Sequence, residues 1–207
     1  MTAMALAGVV LGGGASSRMG RPKALLDLGG RPFVRRVADT LHEAGIAEVV
    51  VVTGSHEPEI RAALDAADRA WRDVVLLNPD RTRGQLSSLW VALDWIEAPP
   101  HVPCTGLVVA LVDHPLVRPD TVRRLVEAFA ATGPDVVRPV YRGRHGHPVV
   151  FARSTFAGLR AAPLDQGARA VVRSLGSAVL DVETDDEGVV VDVDTPEDYA
   201  RLVGRRG

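Results

Sequence analysis

Ala5-Leu-Ala-Gly-Val-Val-Leu11 runs directly into Gly12-Gly-Gly-Ala-Ser-Ser-Arg-Met-Gly-Arg-Pro-Lys23. The first seven residues carry no polar side chain, so there is no polar alternation, as expected of a strand buried on both faces. The three glycines that come next let a backbone approach a ligand closely and turn its N–H groups onto phosphate oxygens. Arg18 and Lys23 add two cationic heads suited to a triphosphate, one a planar fork and the other a compact point charge. Glycines alone would equally make a turn with solvated charges. Three glycines, Arg18 and Lys23 within so short a stretch after a buried strand predict a phosphate-binding loop.

Two familiar phosphate loops fit poorly. A Walker A loop needs Ser or Thr after its Lys, and Lys23 is followed by Ala24. A dinucleotide fingerprint needs Gly or Ala where Ser17 stands, and an acid closing the second strand. That strand ends Val52-Thr53-Gly54-Ser55.

Outward from the loop, strand-like and helix-like segments alternate. Strands are expected at Ala5–Leu11, Glu48–Thr53, Val74–Asn78 and Gly106–Leu111. Helices are expected at Pro32–Ala44, closed by Gly45, and at Glu57–Asp68, Gln85–Ile96 and Asp120–Ala131. Continuous apolar strands, each followed by a helix, predict a doubly wound α/β fold with a mostly parallel sheet. After Gly133 the rhythm changes. Val136–Tyr141 and Pro148–Phe151 flank Arg142-Gly-Arg-His-Gly146, which reads as a hairpin. Short helices near Arg153–Leu159 and Gln166–Leu175 come next. Strands are expected at Ala178–Val182 and Val189–Val193, then a last helix from Pro196. The second half therefore predicts a small antiparallel C-terminal addition, and the whole of 1–207 a single domain.

Ligands of open parallel sheets bind beyond the carboxyl ends of the strands. Asp113, in Leu111-Val-Asp-His-Pro115, follows a buried strand and is well placed to hold Mg²⁺ on phosphates, since that ion takes one or two carboxylates besides phosphates and waters. Alone it would also serve as a loop cap. Nine acids and no base lie between Asp181 and Asp198, mostly as solvated charge. Asp192 and Asp194 would point the same way on a regular strand, and one acid near that strand's end is expected to complete the Mg²⁺ site. Thr195 before Pro196 also reads as a helix cap. Asn78 to Leu89 (NPDRTRGQLSSL) offers neutral donors and acceptors suited to a base and ribose, and is equally a capped helix start.

Composition narrows the classes. A net charge of −2 gives no field that would gather nucleic acid or an anionic membrane. One cysteine, Cys104, excludes an intrachain disulfide and a cysteine-built zinc site, and reads as a structural thiol. No apolar run is long enough to span a bilayer, and Met1–Leu11 lacks a basic leader, so a cytoplasmic setting is expected. Of 24 basic residues only Lys23 is a lysine.

The chain resembles the MobA-like NTP transferases, a family that includes molybdenum cofactor guanylyltransferases and cytidylyltransferases and related sugar-phosphate nucleotidyltransferases. The resemblance covers nearly the whole length. It rests on Leu11–Lys23, Asn78–Leu89, Val112-Asp-His-Pro115, Gly146-His-Pro-Val-Val-Phe151 and Asp192–Tyr199 (DVDTPEDY). It implies a Rossmann-like nucleotidyltransferase fold. It further implies that the amides of Leu11, Gly12, Gly13 and Gly14 cradle the NTP, and that Arg18 and Lys23 neutralise its phosphates. Asn78 and Ser88 would lie near base or ribose, and Asp113 and Asp194 would bind Mg²⁺. Arg18, Lys23 and Asp113 are the expected catalytic groups. An acceptor phosphate would attack the α-phosphorus in line and release pyrophosphate.

Gly13 resembles the guanylyltransferase form of the loop. Arg21-Pro-Lys-Ala-Leu-Leu26, Ser87-Ser-Leu89 and Gly146-His-Pro148 resemble the cytidylyltransferase branch. The cytidylyl form is therefore expected, with CTP ahead of GTP, molybdopterin as acceptor and a molybdoenzyme as recipient of the product. His114 replaces the family's usual Met. His145 and His147 read as a turn-rim pair, with reach to the acceptor or a zinc site with His114 as less favoured readings. A guanylyltransferase, a sugar-phosphate enzyme, a nucleotide sensor without turnover and a cofactor-insertion chaperone are the alternatives.

Overall fold

The computed structural model describes residues 5–12, 20–65, 71, 73–99 and 104–204, with Arg81 described by its backbone alone. Four strands, β1 (Leu6–Leu11), β2 (Glu48–Thr53), β3 (Val74–Leu77) and β4 (Gly106–Leu111), pair in parallel in the order β3-β2-β1-β4. The chain thus winds outward from β1 to β3 and then returns to β4 on its other side. The crevice at that reversal, beyond the carboxyl ends of β1 and β4, is where such sheets take ligands.

The sheet continues through β5 (Val136–Tyr141), β6 (Arg144–His145), β7 (Val149–Ala152) and β8 (Val179–Glu183). The antiparallel part expected in the C-terminal half is present, and it lies inside the sheet. β7 sits between β4 and β5, antiparallel to both, while β8 runs parallel to β5. The hairpin around Arg142–Gly146 forms with the two-residue turn Arg142-Gly143, both residues at positive φ, and pairs β5 with β6.

Side chains of β1 alternate between two cores. Leu6 and Val10 face α1 (Phe33–Glu43), α2 (Glu57–Leu64), α4 (Pro119–Thr132) and α7 (Pro196–Gly204). Ala7, Val9 and Leu11 face α3 (Gln85–Glu97), α5 (Phe156–Ala161) and α6 (Ala168–Leu175). A continuous apolar strand was therefore the correct signal for a sheet covered on both faces. α1 shows how one helix joins this core. Val34, Val37, Ala38 and Leu41 recur at helical spacing and are all buried. Each large aliphatic among them contributes about 1.5–3 kcal/mol of burial. Gly45 ends the helix at φ +96°, where its N–H donates to the His42 carbonyl and that of Ile46 to the Leu41 carbonyl. Only glycine takes that left-handed turn at no steric cost.

One expected strand is absent. Val189–Val193 is a 3₁₀ turn (Glu187–Val189) followed by irregular backbone. Its polar groups go to loops: His147 N–H donates to the Val189 carbonyl at 2.9 Å, and Val193 N–H to the Asp113 carbonyl at 3.0 Å. Asp192 and Asp194 therefore do not share a strand face. Asp192 is exposed, whereas Asp194 turns to the β1–β4 crevice. Asp186, expected among the solvated acids, is buried. Its carboxylate accepts from Arg118 N–H and the Thr121 hydroxyl, both at 2.8 Å, and from Gly188 N–H at 3.0 Å.

Candidate active site

Three segments converge at the carboxyl ends of β1 and β4. Gly12 leaves β1 with its N–H still donating to the Val52 carbonyl at 2.8 Å, and Val112 N–H donates to the Leu11 carbonyl at 3.2 Å. Leu11 and Gly12 thus stand beside the Asp113 loop. Gly13, Gly14 and Arg18 lie outside the described residues.

Lys23 opens a 3₁₀ turn (Lys23–Leu25) and is anchored by the residues C-terminal to it. Ala24, Leu26 and Leu28 are buried. Asp27 and Pro32 form a bridge around a turn in which the Asp27 carboxylate accepts from Gly30 N–H at 3.0 Å. Tyr199 of α7 donates its hydroxyl to the Asp27 carbonyl at 2.7 Å and packs edge-on against Phe33, with ring centroids 6.1 Å apart. Tyr199 is a support that sequence reading missed, because an aromatic in an amphipathic helix reads as core.

From this base the Lys23 ammonium reaches two carboxylates. It hydrogen-bonds Asp194 and lies 3.4 Å from Oδ2 of Asp113. Asp194 is set by the start of α7. There Thr195 and Asp198 cap each other: Asp198 Oδ2 accepts from Thr195 N–H at 2.9 Å, and Asp198 N–H donates to the Thr195 hydroxyl at 3.2 Å. The same carboxylate takes Asp194 N–H at 3.2 Å. Hydrogen bonds from the Thr195 hydroxyl and amide, then from Asp194 N–H and Arg201, hold the Asp198 carboxyl down to about 2. Thr195 is therefore the cap that the sequence suggests, and Asp194 before it is the acid that faces Lys23.

Oδ1 of Asp113 is buried with no hydrogen-bond partner, and Nε2 of His114 is 4.0 Å away. A buried carboxylate oxygen without a donor, beside a second carboxylate, suits a hard divalent ion that takes oxygen ligands. Among the described residues, no group of three or more His, Cys, Asp or Glu gathers into a protein-built metal cage. Two carboxylates are what a protein commonly gives to an ion whose other ligands are phosphates and water.

The neutral segment forms a cluster of its own at the end of β3. Nδ2 of Asn78 donates to the hydroxyls of Ser87 and Ser88 at 2.9 and 3.0 Å, and its Oδ1 accepts from Asp80 N–H at 3.0 Å. Asn78 and Ser88 are both buried. Asn78 thereby ties Asp80, Ser87 and Ser88 together at the turn that leads into α3.

The histidines divide. His145 stays on the hairpin, 3.1 Å from Asp181, which also pairs with Arg138; that guanidinium first, and then the imidazole, lower the Asp181 carboxyl. His147 turns inward, its ring 5.3 Å from that of His114, and burial followed by the nearby His114 lowers its imidazole to about 4. The turn-rim pair and a zinc site of His114, His145 and His147 are not formed. Cys104 is buried, and desolvation raises its thiol, as expected of a structural residue. No helix among the described residues is long and apolar enough to cross a membrane.

The sheet is Rossmann-like, with a lysine and two carboxylates at its reversal point, and likeness to known proteins makes the chain a nucleotidyltransferase. The MobA-like NTP transferase domain matches residues 8–181, and the chain belongs to that family. It is 35% identical to a nicotine blue oxidoreductase of Paenarthrobacter nicotinovorans, over 95% of each chain. It is 29% identical to a molybdenum cofactor guanylyltransferase of Rhodobacter capsulatus, over 98% of this chain and 97% of the other. The crystal structure of Rv0371c from Mycobacterium tuberculosis H37Rv superposes with a TM-score of 0.79 at 31% identity, covering 98% of this chain and 100% of that one. The same protein has been solved in complex with manganese (TM-score 0.72, 29% identity, 96% and 98% covered).

Proposed function

We propose that the chain, acting as a single domain in the cytoplasm, transfers a nucleoside monophosphate from CTP or GTP to a phosphate-bearing pterin of the molybdopterin type, releasing pyrophosphate. The convergence of Lys23, Asp113 and Asp194 beyond β1 and β4 carries this reading. The molybdenum cofactor guanylyltransferase relative supports the acceptor class and weighs for GTP. The Arg21–Leu26 and Gly146-His-Pro148 motifs weigh for CTP.

In this reading the amides of Leu11 to Gly14 and the Arg18 and Lys23 cations bind the triphosphate and orient it for in-line attack. The attacking acceptor phosphate is already an anion, so the chain supplies no nucleophile. Position and charge neutralisation make up the catalysis. Asp113 and Asp194 would hold a divalent ion, Mg²⁺ in the cell, which when bound neutralises charge developing on the phosphates. Asn78, Ser87 and Ser88 fix the loop over which base and ribose lie. The product would pass to a molybdoenzyme.

Pyrophosphate release measured with each of the four NTPs, Mg²⁺ and molybdopterin tests the proposal. Release with CTP alone supports the cytidylyl form, and release with GTP alone the guanylyl form. No release with any NTP overturns nucleotidyl transfer to this acceptor. A second reading, oxidoreduction, comes from the name of the Paenarthrobacter relative. Nicotinamide oxidation in place of pyrophosphate release would favour it, against a β2 that ends without the acid a dinucleotide ribose requires.

A further inference from the structure

The Lys23 ammonium occupies the ground between the two carboxylates that the proposed reaction needs for its metal ion. We propose that Lys23 is a latch that makes the metal site conditional on a polyphosphate. Without one, its ammonium holds Asp113 and Asp194; with one, it moves to the phosphates and releases both carboxylates to a divalent ion. This rests on the nucleotidyl-transfer reading.

Three features carry the inference. The first is competition for the same lone pairs. An ammonium has three donors and no acceptor, and it meets Asp194 and Oδ2 of Asp113, oxygens that a divalent cation would also use. Two cations against one carboxylate pair repel each other strongly in a partly buried setting. A polyphosphate removes the conflict by giving the ammonium another anion.

The second is which part can move. The backbone on either side of Lys23 is tied down: Leu25 N–H donates to the Pro22 carbonyl and Leu26 N–H to the Lys23 carbonyl, at 3.0 and 3.1 Å, with Ala24 and Leu26 buried beyond. The switch therefore belongs to the flexible four-carbon stem, on a backbone held at Pro22–Leu26. A guanidinium would grip a carboxylate in a bidentate fork and exchange less freely. Lysine is used at this one position in a chain whose other 23 basic residues are all arginine.

The third is that the resting state is incompletely satisfied. The ammonium serves Oδ2 of Asp113, while Oδ1 remains buried without a hydrogen bond. That oxygen favours replacement of the latch by an ion that can serve both.

Linkage makes the effect reciprocal: whatever polyphosphate adds to metal affinity, metal adds to polyphosphate affinity, typically about 5- to 150-fold. Because Lys23 is the sole lysine, protein grown on ¹³C,¹⁵N-lysine gives one side-chain NMR signal from the wild-type chain. That signal is expected to stay in place when submillimolar Mg²⁺ is added alone, and to shift when a non-hydrolysable NTP analogue is then added. Without nucleotide, Mn²⁺ titration followed by EPR is expected to show Lys23→Met and Lys23→Gln binding the ion about tenfold more tightly than wild type. A signal displaced by Mg²⁺ alone, or variants that bind Mn²⁺ no more tightly, would overturn the latch while leaving nucleotidyl transfer standing. If neither the analogue moves the signal nor any form binds Mn²⁺, the proposed function falls and takes the latch with it.

Discussion

Gly188→Ala tests how the second carboxylate is delivered. A Cβ at Gly188 would stand 2.5 Å from the carbonyl carbon and oxygen of Leu116 and 2.8 Å from the amide nitrogen of Val117, where real contacts keep at least 3.0 Å. These are backbone atoms, so no side-chain rotation relieves them. The crossing joins the Asp113 loop to the segment that ends in Asp194. Forcing it apart by about half an ångström costs on the order of 1–3 kcal/mol as overpacking. The bonds that Asp186 makes across it, from Arg118 N–H and the Thr121 hydroxyl, add about 1 kcal/mol each if lost. A total of about 3–5 kcal/mol corresponds to a Tm lowered by about 6–20 °C for a chain of this size. Turnover should fall as well, because Asp194 moves with the segment. Gly158→Ala is the control. Its Cβ would meet only the Val171 methyls at 3.8 Å inside α5, and helix propensity favours alanine there by up to about 1 kcal/mol. Differential scanning calorimetry of both variants decides the matter. A Gly188→Ala protein that melts with wild type, or a Gly158→Ala protein that loses as much, would show that the close crossing at Gly188 does not hold the segment.

Lys23→Ala and Asp113→Ala should each lower kcat by roughly 10²–10³-fold, the usual cost of removing one charge-stabilising group, with the circular dichroism spectrum unchanged; near wild-type turnover in either would remove that residue from the site. Lys23→Arg should also lose most activity, since it keeps the charge and changes the shape. The His147 imidazole, held down to about 4 against an ordinary 6.5, is neutral in the folded protein over a range where the unfolded chain is protonated. Its contribution to stability is therefore complete above pH 6.5 and falls as pH drops toward 4, by up to about 3 kcal/mol. Urea midpoints for wild type and His147→Asn between about pH 4 and pH 7 should show a shallower slope in the variant. Asp186→Ala should destabilise the fold by about 3 kcal/mol, because it leaves three buried or half-buried donors unpaired, as measured by urea unfolding at neutral pH.

The first half of the fold was legible because its strands are apolar throughout and its helices keep a regular stripe. β2 and β4 were placed to the residue. The second half was harder. Val189–Val193 has the composition of a strand, but its amides and carbonyls are taken by Asp113 and His147, which are distant in sequence. That β7 inserts between β4 and β5 is likewise set by long-range pairing that local periodicity does not encode. In the site, Lys23, Asp113 and Asp194 were each singled out from the sequence, and the structure brings the three together. Asn78 and Ser88 were read as groups near base or ribose, and the structure shows in addition that Asn78 donates to the Ser88 hydroxyl, a contact that local sequence does not encode. His147 and Asp186 look exposed because their neighbours are polar, and only long-range packing, against His114 and against the start of α4, turns them inward.

The most direct measurement is transfer of label from α-³²P-CTP or α-³²P-GTP to molybdopterin in the presence of Mg²⁺, with Asp113→Ala as control. Label is expected in a pterin dinucleotide from one of the two triphosphates, with none when the γ-phosphate is labelled instead, and with little product from the variant. Label that never reaches the pterin from either triphosphate, or that reaches it equally well in Asp113→Ala, would contradict nucleotidyl transfer at this site.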